Sequence, residues 1–194
     1  MKRDSRVSQA ALWLVLYGAL LAQTYRYSSG AIFYGEYLHW TGLQATHLLF
    51  AALAVTPVRR LFPKAGWSAW LLLRRRDIGV AVFAYAVAHA VAYLWREPVL
   101  AEIVADALTA GMLTGWLALL VFLPLAATSN DRSVRRLGQR WKVLHSFVYA
   151  GALLTLAHWV LTAFDPATAY VYLAVLIALL GLRVVKPRRN RTAG

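Results

Sequence analysis

WKVLHSFVYAGALLTLAHWV, residues 141–160, reads as most of a membrane-spanning helix, yet it carries two histidines, His145 and His158, thirteen residues apart. A hydrocarbon core about 30 Å thick asks for about 20 consecutive apolar residues. An ionisable side chain inside such a run is costly, and marks a functional site by default. The rest of the chain has the same character. Of its 194 residues 60% are hydrophobic and 15% charged, with a mean hydropathy of +0.54. Soluble domains carry about 25% charged residues. The apolar residues come in long runs, which indicates an integral membrane protein. There is no cysteine. Disulfides, thiolate metal sites, cysteine-held iron–sulfur clusters and covalently attached C-type haem are therefore excluded.

Working outward from that run, the sequence predicts an all-α integral membrane protein, a bundle of six transmembrane helices at about 9–24, 39–56, 78–95, 109–127, 143–164 and 169–185. Pro57, Pro98 and Pro166 fall at or beyond span ends, where a helix can stop, and Pro124 falls inside the fourth span, where it can kink the helix. There is no internal repeat and no soluble domain, so residues 1–194 form a single transmembrane domain, with 186–194 a basic tail. A basic start before a short apolar run also describes a signal peptide, with ALLAQ (19–23) as a weak cleavage site. An uncleaved helix is expected; cleavage would leave five spans.

Charge sets the orientation. Nineteen of the 21 Lys and Arg residues fall at the N-terminus, in the second and fourth loops and at the C-terminal end, and only Arg26 and Arg96 fall on the other side. The positive-inside rule then puts both termini in the cytoplasm. The net charge of +13 is thus a topology signal and an attraction to anionic lipid, with no need of nucleic acid. Five of the eight acidic residues, Glu36, Glu97, Glu102, Asp106 and Asp165, lie on the outer side. Trp13, Tyr37, Trp40, Trp95, Trp141 and Trp159 sit at span ends as an interfacial belt.

Depth sorts the histidines. His89 lies 13 residues beyond Arg76 and His158 lies 16 beyond Lys142. At about 1.5 Å per residue both are roughly 20–24 Å from the basic edge, at one level in the outer half of the bilayer. Two neutral imidazoles at one level on two helices can supply both axial ligands of a b-type haem. A zinc site would want more histidine or carboxylate nearby. Ala86, Ala92 and Gly151 flank these histidines and would let a flat macrocycle approach, although small residues also serve ordinary helix packing.

His145 lies three residues after Lys142, near the cytoplasmic edge. Thirteen residues turn an ideal helix by three turns and about 220°, so His145 and His158 do not share a face. His145 is a candidate ligand of a second haem, a flavin or quinone contact, or a structural histidine; the matching depth on the third span holds Arg75 and Arg76, not histidine. His47 is expected to hydrogen-bond between helices, and His39 to sit at the outer interface. Arg75, Arg76, Arg136 and Arg140 are candidate contacts to haem propionates or a flavin phosphate, or plain inside anchors.

WTG (40–42), AVTPVRR (54–60), RRRDIGVAVFAYAVAH (74–89), LAATS (125–129), RRLGQRWKVLHSFVY (135–149) and AHW (157–159) together resemble one family over residues 38–185. It is the MsrQ (formerly YedZ) family, haem-binding membrane subunits of the bacterial periplasmic methionine sulfoxide reductase system, within the ferric reductase-like transmembrane superfamily. The resemblance implies that His89, His145 and His158 are the functional histidines. It implies one or two b-type haems, an association with FMN, and residence in the bacterial inner membrane. It implies electrons drawn from quinol or a cytoplasmic flavin reductase and delivered to a periplasmic molybdenum-dependent methionine sulfoxide reductase. The chain departs from the family where an Arg-Pro-Tyr segment is usual: ADALTAG (105–111) stands there, and Leu43 replaces the basic residue after TG.

The expected role is an electron-transfer subunit rather than a stand-alone enzyme. One alternative is the transmembrane part of a ferric reductase or NADPH oxidase-like system. The chain ends about nine residues after the last predicted span, so its flavin and nicotinamide module would be a separate protein. The other alternative is a non-redox membrane protein with structural histidines.

Overall fold

The computed structural model describes residues 2–97 and 99–184, with side chains from Val7 to Leu182. Pro98 as a helix stop, the sixth span's end at Val185 and the tail 186–194 lie outside the described residues. Nine helices follow in order among the described residues: α1 (Lys2–Ser28), α2 (Tyr34–Leu61), α3 (Gly66–Arg96), α4 (Leu100–Ala107), α5 (Ala110–Ala127), α6 (Asp131–Leu137), α7 (Gln139–Ser146), α8 (Val148–Thr162) and α9 (Ala167–Val184), with no strand. Val7–Ser28, α2, α3, α5 and the joined stretch Gln139–Thr162 are long and apolar enough to cross a membrane. The last helix holds a shorter apolar stretch, Ala167–Leu182, so among the described residues five segments meet the length where six were expected.

Two antiparallel pairs form the core. α2 packs most extensively on α3, and α5 on α8, with α9 laid against α2 and α8. Leu49, Leu53, Val82, Phe122, Ala152, Leu156 and Leu176 are buried where the pairs meet. Outward faces carry Leu14, Leu21, Leu73, Leu120 and Leu153, as a lipid-facing surface requires. α1 is held to α2 and α3 largely by polar ties: Gln9 Nε2 donates to Asp77 at 3.2 Å, Tyr85 Oη to the Leu16 carbonyl at 2.8 Å, and Thr24 and Tyr37 hydroxyls meet at 2.8 Å.

Two expectations about helix ends are corrected. Pro57 does not stop its helix, which runs on to Leu61. A proline inside a helix forfeits its own N–H bond and crowds the carbonyl one turn back, which can kink a helix without ending it, and the following turn is secured by Arg59 Nη1, which donates to Ser68 Oγ at 3.0 Å. The third span begins at Gly66 rather than residue 78, so the three arginines sit within the helix. Hydropathy reads only the part of a helix that crosses lipid, and arginine is a good helix former. Each arginine also has a partner. Arg74 pairs with Asp77 at 3.7 Å, Arg75 Nε donates to the Ala52 carbonyl at 3.1 Å, and Arg76 bonds Asp131 at 2.6 Å.

The fifth span is not one regular helix. Phe147 N–H bonds the Leu144 carbonyl at 3.1 Å, a tighter turn that separates α7 from α8 two residues after His145. Pro166 does precede a helix start, at Ala167. Trp13 and Trp95 are exposed. Tyr37, by contrast, is buried and stacks on Tyr27 with ring centres 4.7 Å apart.

Candidate functional site

Two cavities lie one above the other between the helix pairs. The larger, about 710 Å³, lies toward the side that the charge pattern assigns outward, and is termed the outer cavity; it is lined by His89, His158, Gly42, Gly115, Trp116 and Thr155 among others. That volume lies within the range of about 300–1,000 Å³ typical of ligand sites. The smaller, about 310 Å³, is on the inner side and is lined by Arg75, Arg76, Trp141, Lys142, His145 and Tyr149 among others. Leu49, Val82 and Phe122 line both and form the wall between them.

The structure brings His89 and His158 together across the outer cavity. Their ring centres are 6.2 Å apart and their planes lie at 89°. An imidazole nitrogen binds a first-row metal at about 2 Å and lies about 1 Å from its ring centre, so opposed ligands on one metal have centres about 6 Å apart. The tautomers suit this. His89 Nδ1 lies 3.0 Å from the Leu38 carbonyl, and His158 Nδ1 lies 2.8 Å from the Gly111 carbonyl. A carbonyl only accepts, so Nδ1 carries the proton in each ring and Nε2 keeps its lone pair for a metal. Two glycines make room for the rings. A Cβ on Gly42 would lie 3.1 Å from His89, and one on Gly115 would lie 2.8 Å from His158 Nδ1.

Sequence reasoning did not single out Gly42, Gly111 or Gly115 as contacts of these rings. Their signal was present, as glycines inside apolar helices where a packing or functional reason is expected. The three small residues it did single out divide. Ala86 lines the outer cavity. Ala92 is instead buried against Ile32 and Tyr37. Gly151 accommodates Phe122, whose ring would lie 2.6 Å from an added Cβ, so this glycine seats the wall between the cavities.

His145 stands in the inner cavity in a different state. Its ring stacks on Trp141 with centres 3.9 Å apart. Its Nε2 lies 3.0 Å from Thr128 Oγ1, and that hydroxyl spends its own proton on the Pro124 carbonyl at 2.7 Å. Thr128 therefore accepts from Nε2–H, and the lone pair of His145 is on Nδ1. LAATS thus becomes the cap of α5 that holds His145, aided by Trp141 Nε1, which donates to the Thr128 carbonyl at 3.0 Å. No second histidine lines this cavity.

The remaining predicted residues divide as well. Arg75 and Arg76 line the inner cavity, whereas Arg136 and Arg140 are exposed and line neither cavity. Asp131, at the mouth of the inner side, has its carboxyl held below the ordinary value of 3.8 by the Arg76 guanidinium bonded to it. His47 Nε2 meets Tyr172 Oη at 2.5 Å, a bond between α2 and α9, so it stands apart from the facing pair. His39 lines the outer mouth with Asp165 and Thr168. Outside, Tyr93 donates to Asp106 at 3.1 Å, and Glu102 has its carboxyl raised by a hydrogen bond to Glu97.

The ferric reductase like transmembrane component family matches residues 41–156. A protein of Agrobacterium fabrum described as the protein-methionine-sulfoxide reductase heme-binding subunit MsrQ is 34% identical over 203 residues, covering 97% of this chain and 92% of its own. Proteins with the same description in Azospira oryzae and Brucella ovis are similar too. The first is 38% identical over 75% of this chain and 63% of its own, and the second 31% identical over 96% and 87%.

Proposed function

This chain belongs to the MsrQ family of ferric reductase-like transmembrane proteins, and from that premise we propose that it is a membrane electron-transfer subunit holding a b-type haem iron between His89 and His158. The single observation that carries the assignment is the facing pair, with ring centres 6.2 Å apart and both Nδ1–H groups engaged by carbonyls. A haem bound there supplies one-electron chemistry by cycling between its ferric and ferrous states. The chain's own residues do the rest. Leu38 and Gly111 orient the imidazoles, Gly42 and Gly115 admit them, and the apolar walls Leu49, Val82 and Phe122 exclude water.

The inner cavity is assigned to a second redox group bearing acidic substituents, with Arg75, Arg76 and Lys142 as its counter-charges. Because no second histidine lines this cavity among the described residues, and the free lone pair of His145 is on Nδ1, crowded by its own Cβ, hydrogen bonding from a flavin or quinol to Nδ1 is favoured over ligation of a second iron. Arg136 and Arg140 are assigned to anchoring at anionic lipid.

The protein is multi-pass. We assign it to the bacterial inner membrane with α1 retained, α9 as the sixth crossing and both termini cytoplasmic, as the basic excess on that side supports. Electrons then enter on the inner side from quinol or a cytoplasmic flavin reductase and leave at the outer mouth. Their acceptor is a periplasmic molybdenum-dependent methionine sulfoxide reductase, the system named in the relatives.

The test is a pyridine haemochrome assay on protein purified from haem-replete cells, followed by reduction of a periplasmic methionine sulfoxide reductase. At least one haem per chain, and oxidation of the reduced protein by that partner, is expected. A folded, haem-free sample overturns the assignment. A haem-loaded protein that ignores this partner and reduces ferric chelates instead moves it to the ferric reductase alternative.

A further inference from the structure

The two halves of the outer site repeat one device. On α2 the Leu38 carbonyl accepts from His89 Nδ1, Thr41 three residues later brings its hydroxyl to 3.0 Å from that same carbonyl, with its oxygen 3.4 Å from His89 Nδ1 itself, and Gly42 four residues later admits the ring. On α5 the Gly111 carbonyl accepts from His158 Nδ1, Thr114 three residues later donates to it at 2.7 Å, and Gly115 four residues later admits the ring. The match extends one carbonyl further back. Thr41 Oγ1 also lies 2.9 Å from the Tyr37 carbonyl, and Thr114 Oγ1 3.1 Å from the Ala110 carbonyl. Each helix carrying Thr-Gly packs on the helix carrying its histidine. Only the dipeptide is common to the two sequences, too short to register as a repeat.

Threonine in membrane helices often bonds back to a carbonyl one turn earlier, and glycine often sits where helices touch. Such habits do not explain why, on both helices, one of the two carbonyls within the hydroxyl's reach is the one already holding a histidine. A carbonyl has two lone pairs. Here one serves the imidazole and the other the hydroxyl, and each donor weakens the carbonyl's pull on the other. The strength of the Nδ1–H bond sets how electron-rich the imidazole is toward a metal at Nε2.

We propose that Thr41–Gly42 and Thr114–Gly115 are paired positioning residues that set the ligand strength of His89 and His158, glycine by seating the ring and threonine by sharing its carbonyl. The device acts through the two histidines and so rests on the haem assignment above. Removing the hydroxyl leaves the carbonyl wholly to the imidazole, makes the ring more electron-rich, and favours the ferric state.

The test is a redox titration of the haem, with low-spin electron paramagnetic resonance, on the full-length protein and on Thr41→Val, Thr114→Val and the double variant. The valine variants are expected to keep haem and to show a lower midpoint potential, with the largest fall in the double variant. Thr41→Ser and Thr114→Ser, which retain the hydroxyl, are expected to restore the original potential. Gly115→Ala is expected to disturb the low-spin signal more than Gly42→Ala, because its Cβ would lie 2.8 Å rather than 3.1 Å from the ring. Where a valine variant fails to fold, alanine at the same position takes its place. Haem-loaded threonine variants with the potential of the original protein overturn the proposal, as do glycine variants with its spectrum. A folded original protein without haem overturns the haem assignment itself, and is recognised before any variant is made.

Discussion

The outer and inner cavities share one wall and little else. The outer one faces two imidazoles toward each other, both protonated at Nδ1, with no Lys or Arg lining it. The inner one holds one imidazole, protonated at Nε2, beside Arg75, Arg76 and Lys142. A pair of neutral nitrogens with free lone pairs is suited to a metal. A single imidazole among cations is suited to a planar group with acidic edges. The same residue type thus keeps its lone pair on a different nitrogen according to its hydrogen-bond partner: a backbone carbonyl in one place and a threonine hydroxyl in the other.

The largest effect that would break this contrast is at the outer pair. His89→Ala and His158→Ala are each expected to lose most of the haem, to about a tenth of the original content or less, since an axial ligand with its orienting bond is removed. His47→Ala, which loses only the bond to Tyr172, should keep it. A pyridine haemochrome assay normalised to protein checks all three; full haem in either of the first two variants contradicts the pairing.

Next is the wall. Phe122 is buried, fills the space left by Gly151 and separates the cavities. Phe122→Ala is expected to cost about 3–5 kcal/mol, as large-to-small core changes do. Thermal unfolding in detergent reads this. An unchanged midpoint would mean that the cavities are already continuous.

His145→Ala sharpens the comparison from the other side. With no second histidine beside it to complete an iron site, its loss is expected to leave the haem stoichiometry unchanged and to weaken binding of added flavin or quinone, measured by fluorescence quenching. A halved haem content would instead make His145 an iron ligand. The smallest effect is at the inner mouth. Arg76 holds the Asp131 carboxyl below 3.8, so the pair contributes stability above that value and loses it as pH falls through the still lower folded value. Thermal midpoints of the original protein and Asp131→Asn, measured from pH 7 to pH 3, should differ slightly at neutral pH and converge in acid. A difference that does not shrink at all as pH falls below 3.8 would point to another role for Asp131.

Much of the fold was legible because it depends on transfer from water to lipid, which each apolar run reports by itself. Depth was legible for the same reason: counting from Arg76 and Lys142 put His89 and His158 at one level, and the structure has them facing. The helix ends were less so. Pro57 lies within α2, and Arg74, Arg75 and Arg76 within α3, because neighbours supply the bonds that local preference would forgo.

The sequence by itself determined an all-helical membrane protein, the level of its facing histidines and the side that carries its cations, since these follow from hydropathy, rise per residue and charge. Only the tertiary structure decided which carbonyl holds each imidazole, which nitrogen stays free, and that Gly42, Gly115 and Gly151 make room for His89, His158 and Phe122. Those contacts join residues 47, 43 and 29 positions apart. They depend on which helices become neighbours and how each is rotated, and no local pattern along the chain records that.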